Sequence, residues 1–189
     1  VRDLQRDLGK KIDLVIEGEE TELDKSVVED LLDPIMHCVR NSVDHGIEDP
    51  ATRAANGKSE TGTVTLKASN EGNMIVIEIK DDGAGIDVAK VRKKAIDKGL
   101  IHPDKVISDQ DAYQLIMQPG FSTADKISNI SGRGVGLDVV KTMINNLKGN
   151  ISVSSVKGQG TTFTIKLPLT LAIIQGLLVR VGKEVYSIP

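Results

Sequence analysis

Apolar residues recur along this chain with two periods, and the changes from one to the other mark its elements. The opening VRDLQRDLGKK reads as the end of a helix expected to begin upstream, with Gly9 suited to its C-cap. Ile12, Leu14 and Ile16 then alternate with polar residues, the period of a half-buried strand. Ser26 and Glu29 form a candidate capping box, after which Val28, Leu31, Leu32, Ile35, Val39 and Val43 keep helical spacing as far as Gly46. Pro34 falls inside this amphipathic run, where the loss of a backbone donor predicts a kink.

A loop rich in Pro, Asn and Gly follows, and residues 63–69 and 74–80 then read as a strand pair joined through NEGN. The pattern predicts a helix from Asp87 to Gly99 and another from Ser108, whose capping box with Asp111 starts it and whose end is set by Pro119 and Gly120. Residues 118–136, QPGFSTADKISNISGRGVG, show no period, and a stretch that long inside a compact domain signals a lid or binding loop. Val139, Val140, Met143, Ile144 and Leu147 define one more helix ended by Gly149, and residues 151–156 and 161–167 pair around KGQG. Helices alternating with hairpins predict a two-layer α/β sandwich: a mixed, mostly antiparallel sheet with helices on one face. The tail, residues 169–189, holds a further hairpin, LLVRV and EVYSI around a type II′ turn at Gly182 and Lys183. It reads as the first strands of a following β domain, with an extra edge of the main sheet as the alternative.

Composition narrows the function. With 189 residues, 39% of them hydrophobic, the chain can bury one core; a net charge of −3 and a pI near 5.7 argue against a nucleic-acid partner, which needs a basic stripe. A single cysteine, Cys38, suits a reducing compartment and a cytoplasmic protein, and no run approaches the ~20 apolar residues of a membrane span. The fragment is expected to be a monomer.

The chemistry concentrates in four segments. His37, Asn41 and His45 are four apart on one helical face, with Arg40 and Asp44 beside them. The amide oxygen of Asn41 suits Mg2+ that keeps most of its waters and bridges phosphates, although an isolated H-x-x-x-N is more simply a solvated face. Asp81 ends a strand before Gly83 and Gly85, where a buried carboxylate can accept the exocyclic amino hydrogen of adenine; an ordinary D-D-G turn is the alternative. Lys90 and Lys94, one turn apart, can reach phosphate oxygens, as surface lysines seldom do specifically. GRGVG, with Gly132, Gly134 and Gly136, runs into a helix and offers free N–H groups to a phosphate chain. It is neither a Rossmann fingerprint nor a Walker A loop. Gly158, Gly160, Thr161 and Thr162 are most simply a hairpin turn, and no G-x-S-x-G elbow is present.

Taken together, HCVRN, DDGAG, GRGVG and GQGTTF resemble the N box and the three glycine boxes of the GHKL ATPases, and PGFST resembles the box that precedes their lid. HCVRNSVDHGIE, DDGAGI, SGRGVGLDVVK and LPLTLAI are most similar to the ATP-binding domain of the CheA family of chemotaxis histidine kinases. The resemblance covers roughly residues 10–168 and implies the Bergerat fold, a dimerisation-domain helix ending in residues 1–9, and a CheW-like regulatory domain opening at 169–189.

It also implies ATP and Mg2+ as cofactors, with Asn41 on the metal, Asp81 on adenine, and His45, Lys90 and Lys94 on the phosphate chain. Arg40 and Asp44 flank that wall, while Gly83, Gly85 and Ile86 follow Asp81. Phe121 and Ser122 of PGFST come next, then the lid residues Ser131, Gly132, Arg133, Gly134, Val135, Gly136 and Leu137, and Thr161 and Thr162 close the pocket. His37 stands where the hydrolysing relatives carry a water-activating Glu. An imidazole activates water less strongly, so His37, with His45 and Lys94, is expected to serve transfer to a histidine on a separate phosphoacceptor domain. The implied partners are that acceptor domain, a CheW-type adaptor and chemoreceptors at the inner face of the membrane, and response regulators downstream, in a dimeric full-length protein. The alternative is a nucleotide-binding regulatory module with little catalysis.

Overall fold

The computed structural model describes residues 8–21, 23, 25–121, 136–169, 177–181 and 184–188. In chain order the elements are β1 (Lys11–Glu17), α1 (Lys25–Asn41), a π-helical turn (Ser42–Gly46), α2 (Pro50–Ala55), β2 (Thr61–Glu71), β3 (Met74–Asp81) and α3 (Val88–Asp97). They continue with α4 (Asp109–Leu115), α5 (Leu137–Asn146), β4 (Asn150–Val156), β5 (Gly160–Pro168), β6 (Leu177–Val181) and β7 (Glu184–Ile188).

Five strands form one sheet in the order β1-β2-β3-β5-β4. β1 lies parallel to β2 and every other pairing is antiparallel, so the sheet is mixed as the pattern requires. Alternation along the strands separates its faces. Val64, Ile75, Ile77, Ile79, Ile151, Val153, Phe163, Ile165 and Leu167 are buried against Leu31, Cys38, Val39 and Val43 of α1 and its extension and Val140 and Ile144 of α5. The opposite face is polar, carrying Thr65, Lys67, Glu78, Lys80, Ser154, Thr162 and Thr164. Among the described residues the helices therefore cover one face only. Among the described residues no helix is long and apolar enough to cross a membrane.

Several local expectations change. β1 is an edge strand whose alternation fails outward: Ile12 is 5% exposed, but Leu14 and Ile16 are 42% and 52% exposed, because the helical layer covers only the start of the strand. α1 begins at Lys25, which places Ser26 in the first turn and not at the cap. Pro34 is accommodated inside α1 and is buried. The loop before β2 contains α2, started by Asp49, whose side chain accepts from Thr52 N, and by Pro50 in the first turn. Asp87 and Ser108 cap α3 and α4 as expected, Ser108 with a complete capping box, though α4 ends at Leu115, ahead of Pro119.

After α5 the left-handed residue is Lys148, with φ of 58°, and not Gly149. Gly149 serves space: a Cβ there would meet Leu167 Cδ2 at 2.5 Å and Lys166 O at 2.8 Å. β6 and β7 pair with each other in a separate two-stranded sheet. The helix expected before Gly9 and the turn at Gly182 and Lys183 lie outside the described residues, except that Gly9 itself has a φ of 61°.

Candidate functional site

Asp81 ends the central strand β3, paired on one side with Val64 and on the other with Thr161. That register puts its carboxylate on the helix-facing side, 1% exposed. Oδ1 accepts from Gly83 N (3.0 Å) and Thr161 N (3.2 Å). Oδ2 is buried with no partner, as is Ser42 Oγ nearby. Burial pushes the Asp81 carboxyl above the ordinary carboxylate range, against the opposing bonds from Gly83 and Thr161; Ser42 Oγ opposes it as well, although it lies outside hydrogen-bonding geometry. A buried acceptor without a donor costs on the order of 1–3 kcal/mol, and a group that brings a donor to Oδ2 would relieve that cost.

The glycines around Asp81 are there because backbone packs on backbone. A Cβ on Gly83 would lie 2.1 Å from Gly46 O, and one on Gly46 would lie 2.9 Å from Asp81 Oδ2. Ala84 N donates to Gly46 O at 2.9 Å, tying the DDGAG loop to the end of the π-helical turn. Gly85 has a φ of 69°, and its Cβ would meet Val156 O at 2.3 Å. Ser155 joins the same assembly: its hydroxyl accepts from Ile86 N (2.8 Å), donates to Gly160 O (2.9 Å) and lies 3.2 Å from Thr161 Oγ1. Thr161 is thus brought to Asp81, whereas Thr162 points to the polar outer face, where alternation along β5 sends it. Thr162 does not belong to the pocket.

The second wall is the end of α1 and its π-helical extension. Asn41 Nδ2 donates to His37 O at 3.0 Å, which fixes the amide and leaves Oδ1 as its acceptor. A hard neutral oxygen presented alone fits Mg2+ held mainly by phosphates and water. Among the described residues no group of three His, Cys, Asp or Glu side chains could hold a metal by itself. His37 is half-buried, and burial first, then the Arg40 charge, hold its imidazole below the ordinary value of 6.5, with Asp138 and Asp44 opposing. The ring is therefore neutral at pH 7. Asp138, in the first turn of α5, brings that helix's start toward His37. Asp44 is half-buried with Oδ1 unpartnered, and His45 is exposed. Lys10 supports the turn by donating to Val43 O (2.7 Å) and Asp44 O (2.9 Å).

The basic helix α3 stands beyond Asp81. Lys90 is exposed. Lys94 lies over the Phe121 ring, 5.4 Å from its centroid, and Phe121 is itself buried with Ala95 and Leu115 in a small second core. Phe121 is therefore a support for Lys94 and not a residue open to a ligand. Gly136 caps α5 in extended conformation with no side chain over the free N–H groups, and Leu137 turns its side chain to the main core. Ser122, Ser131, Gly132, Arg133, Gly134 and Val135 lie outside the described residues.

Sequence reasoning missed a buried cluster behind the DDGAG loop. Arg53, 1% exposed, places Nη2 2.9 Å from Asp82 Oδ2 and Nη1 3.2 Å from both Glu48 Oε2 and Asp82 O, while Nε donates to Ser59 O at 2.7 Å. Lys58 Nζ donates to Glu48 Oε1 (2.9 Å), Asp82 O (3.0 Å) and Gly83 O (2.7 Å). Burial pushes the Glu48 carboxyl up, and the Lys58 bond with the Lys58 and Arg53 charges outweighs this, leaving it below the ordinary range. The D-P signal could have revealed α2, but it gives no sign that Arg53 on that helix is buried.

Comparison with known proteins adds a family. The family described as histidine kinase-, DNA gyrase B-, and HSP90-like ATPase matches residues 30–171. The chemotaxis protein CheA of Treponema pallidum is 69% identical over 189 residues, all of this chain and 23% of that protein. The chemotaxis protein CheA of Borreliella burgdorferi is 59% identical, again over all of this chain and 22% of its own length. The chain thus spans less than a quarter of these relatives. The nucleotide-free catalytic domain of histidine kinase ThkA has the same fold, with a TM-score of 0.52 at 15% identity, covering 88% of this chain and 84% of that one.

Proposed function

The chain belongs to the histidine kinase-, DNA gyrase B- and HSP90-like ATPases, and from that membership we propose that it is the ATP-binding catalytic domain of a chemotaxis histidine kinase. Its substrates in this reading are ATP and a histidine on a separate phosphotransfer domain. One observation carries the reading: the buried Asp81 keeps Oδ1 satisfied by two backbone N–H groups and presents Oδ2 without a partner. Adenine offers an exocyclic N–H donor to such an oxygen, while guanine offers a carbonyl that repels it.

The remaining groups then take roles along the nucleotide. Asn41 Oδ1 holds Mg2+, which when bound neutralises charge on the phosphates. Lys90, Lys94 and His45 meet the phosphate chain, and the uncapped N-terminus of α5 adds N–H groups. In the transfer, the bond between the γ-phosphorus and the bridging oxygen breaks, a bond from the acceptor imidazole nitrogen forms, and ADP leaves with the bond electrons. His37, neutral at pH 7, orients the incoming imidazole or accepts the proton from its other nitrogen. Positioning and charge supply most of the barrier lowering.

Residues 169–189 open a following regulatory domain, residues 1–9 end a preceding dimerisation domain, and the whole protein works in the cytoplasm with a CheW-type adaptor, chemoreceptors and response regulators. The test is incubation of the full-length protein with γ-labelled ATP, Mg2+ and its phosphoacceptor domain. Label on the acceptor histidine is the expected result. Tight ATP binding with no label on a competent acceptor would instead assign a regulatory module.

A further inference from the structure

The peptide groups that aim hydrogen bonds at Asp81 are held from behind by cations. Asp82 C=O and Gly83 N–H belong to one trans peptide group, so they point in opposite directions. The N–H side donates to Asp81 Oδ1 at 3.0 Å; the carbonyl side accepts from Lys58 Nζ at 3.0 Å and Arg53 Nη1 at 3.2 Å. The next peptide group repeats the arrangement: Gly83 O accepts from Lys58 at 2.7 Å, and Ala84 N donates to Gly46 O at 2.9 Å. One ammonium therefore anchors two consecutive peptide groups. Their other ends fix the adenine-facing carboxylate and lock it to the wall that carries His37 and Asn41.

We propose that Lys58, backed by Arg53 and Glu48, is a specificity-determining positioning residue: it fixes the plane of the Asp81 carboxylate and so the direction in which its free oxygen points. This rests on the nucleotide reading of the site. A cation on the carbonyl strengthens the N–H at the other end of the same amide, since hydrogen bonds at the two ends of one peptide group polarise one another. One oxygen, Oδ1, is thereby engaged by Gly83 and Thr161 together, and the carboxylate cannot tilt away from its plane without weakening both bonds. Oδ2 stays unsatisfied and aimed past Gly46. Without the ammonium, the 82–83 peptide group can rotate, the carboxylate gains alternative orientations, and a ligand's amino group no longer meets an acceptor fixed in advance. The bonds of Lys58 run to Glu48 and to the Asp82 and Gly83 carbonyls, so it acts on Asp81 through the backbone between them.

A role in stability alone would lower binding of every nucleotide alike; a role in specificity changes a ratio. The measurement is the affinity of the full-length protein for ATP and for purine riboside triphosphate, which lacks the exocyclic amine, by calorimetry. In Lys58→Met the preference for ATP over the analogue should shrink by about tenfold, the size of one ordinary hydrogen bond, and Lys58→Arg should recover most of it. The Gly83 amide proton should also move upfield in Lys58→Met. Equal weakening of both ligands, or an unchanged ratio with an unmoved Gly83 signal, would overturn the proposal. Should Lys58→Met fail to fold, Glu48→Gln, which loosens the ammonium without removing it, must narrow the ratio; a wild-type ratio there overturns it equally. Failure of the wild-type protein to bind ATP would remove the nucleotide reading, and this inference with it.

Discussion

Replacing Asp81 with Asn separates two demands that this buried position satisfies together. The carboxylate is 1% exposed and its burial raises its pKa, so the charged form is held in the fold at a cost. A carboxyl whose folded pKa is raised contributes most to stability below its unfolded value, near 3.8, and loses that contribution as pH rises through the folded value. At neutral pH the ionised group is thus a burden on the empty protein. Asn keeps an oxygen for Gly83 N and Thr161 N and replaces the buried charge at Oδ2 with a neutral amide. Asp81→Asn should therefore melt at a higher temperature than the native protein without nucleotide, and the gap should narrow as pH falls toward 4. ATP meets the opposite outcome, because an N–H donor now faces the adenine amine. Loss of a charge-assisted bond worth about 1–3 kcal/mol corresponds to roughly fivefold to 150-fold weaker binding, and the donor–donor clash places the variant in the upper half of that range. Calorimetric titration of the full-length protein with ATP, beside thermal melts of the empty protein across pH, reads both effects. Affinity within twofold of wild type would refute the base-recognition argument; a lower melting temperature at neutral pH would refute the account of burial.

Three further outcomes follow from the same geometry. His37→Gln should slow phosphoryl transfer far more than it weakens ATP binding; and since burial and Arg40 hold the imidazole below 6.5, the wild-type rate should be flat above pH 7 and fall only as pH drops through that lowered value, as a pH-rate profile would record. Gly83→Ala must push a Cβ into Gly46 O, 2.1 Å away, so it should lower stability by about 1–3 kcal/mol or more in a urea titration and reduce ATP affinity with it. Arg53→Met leaves Glu48 with Lys58 alone, Asp82 with solvent, and the Ser59 and Asp82 carbonyls each short of a donor, and should cost about 1–3 kcal/mol, seen as a fall in denaturation midpoint.

Much of the fold was legible because its signals are local. Capping residues, turn glycines and the two periods mark α3, α4 and the two hairpins within a few residues. The strand-end position of Asp81 was legible too, since DDGAG follows an apolar run directly. Parity along β5 was available and would have excluded Thr162: Phe163, Ile165 and Leu167 face the helices, so Thr161 shares their side and Thr162 does not. Phe121 was misplaced because the motif shows its neighbours in sequence but not Ala95 and Leu115, which bury it. Arg53 and Lys58 were invisible for the same reason. Their partners, Asp82 and Gly83, lie 29 and 25 residues on, and a charge in a short polar helix gives no sign that it is buried.

The two ends of the site are built from different materials, and that difference bears on how it works. Around Asp81 nearly every contact is made by backbone: Gly46, Gly83, Gly85 and Gly160 exclude side chains, and the Asp82 and Gly83 carbonyls are held by the half-buried Lys58, with the buried Arg53 on Asp82 as well. Such contacts cannot relax by changing rotamers, so the acceptor for the base is fixed before any ligand arrives, and binding there pays little ordering entropy. In the proposed reading the phosphates meet side chains on helix surfaces: His45 and Lys90 are exposed, Asn41 and His37 are half-buried, and Lys94 rests on an aromatic ring. These can follow a phosphoryl group as charge develops on it. Base recognition and transfer are then energetically separable: changes behind the DDGAG loop should alter which nucleotide binds, and changes on the α1 wall should alter what happens to its γ-phosphate.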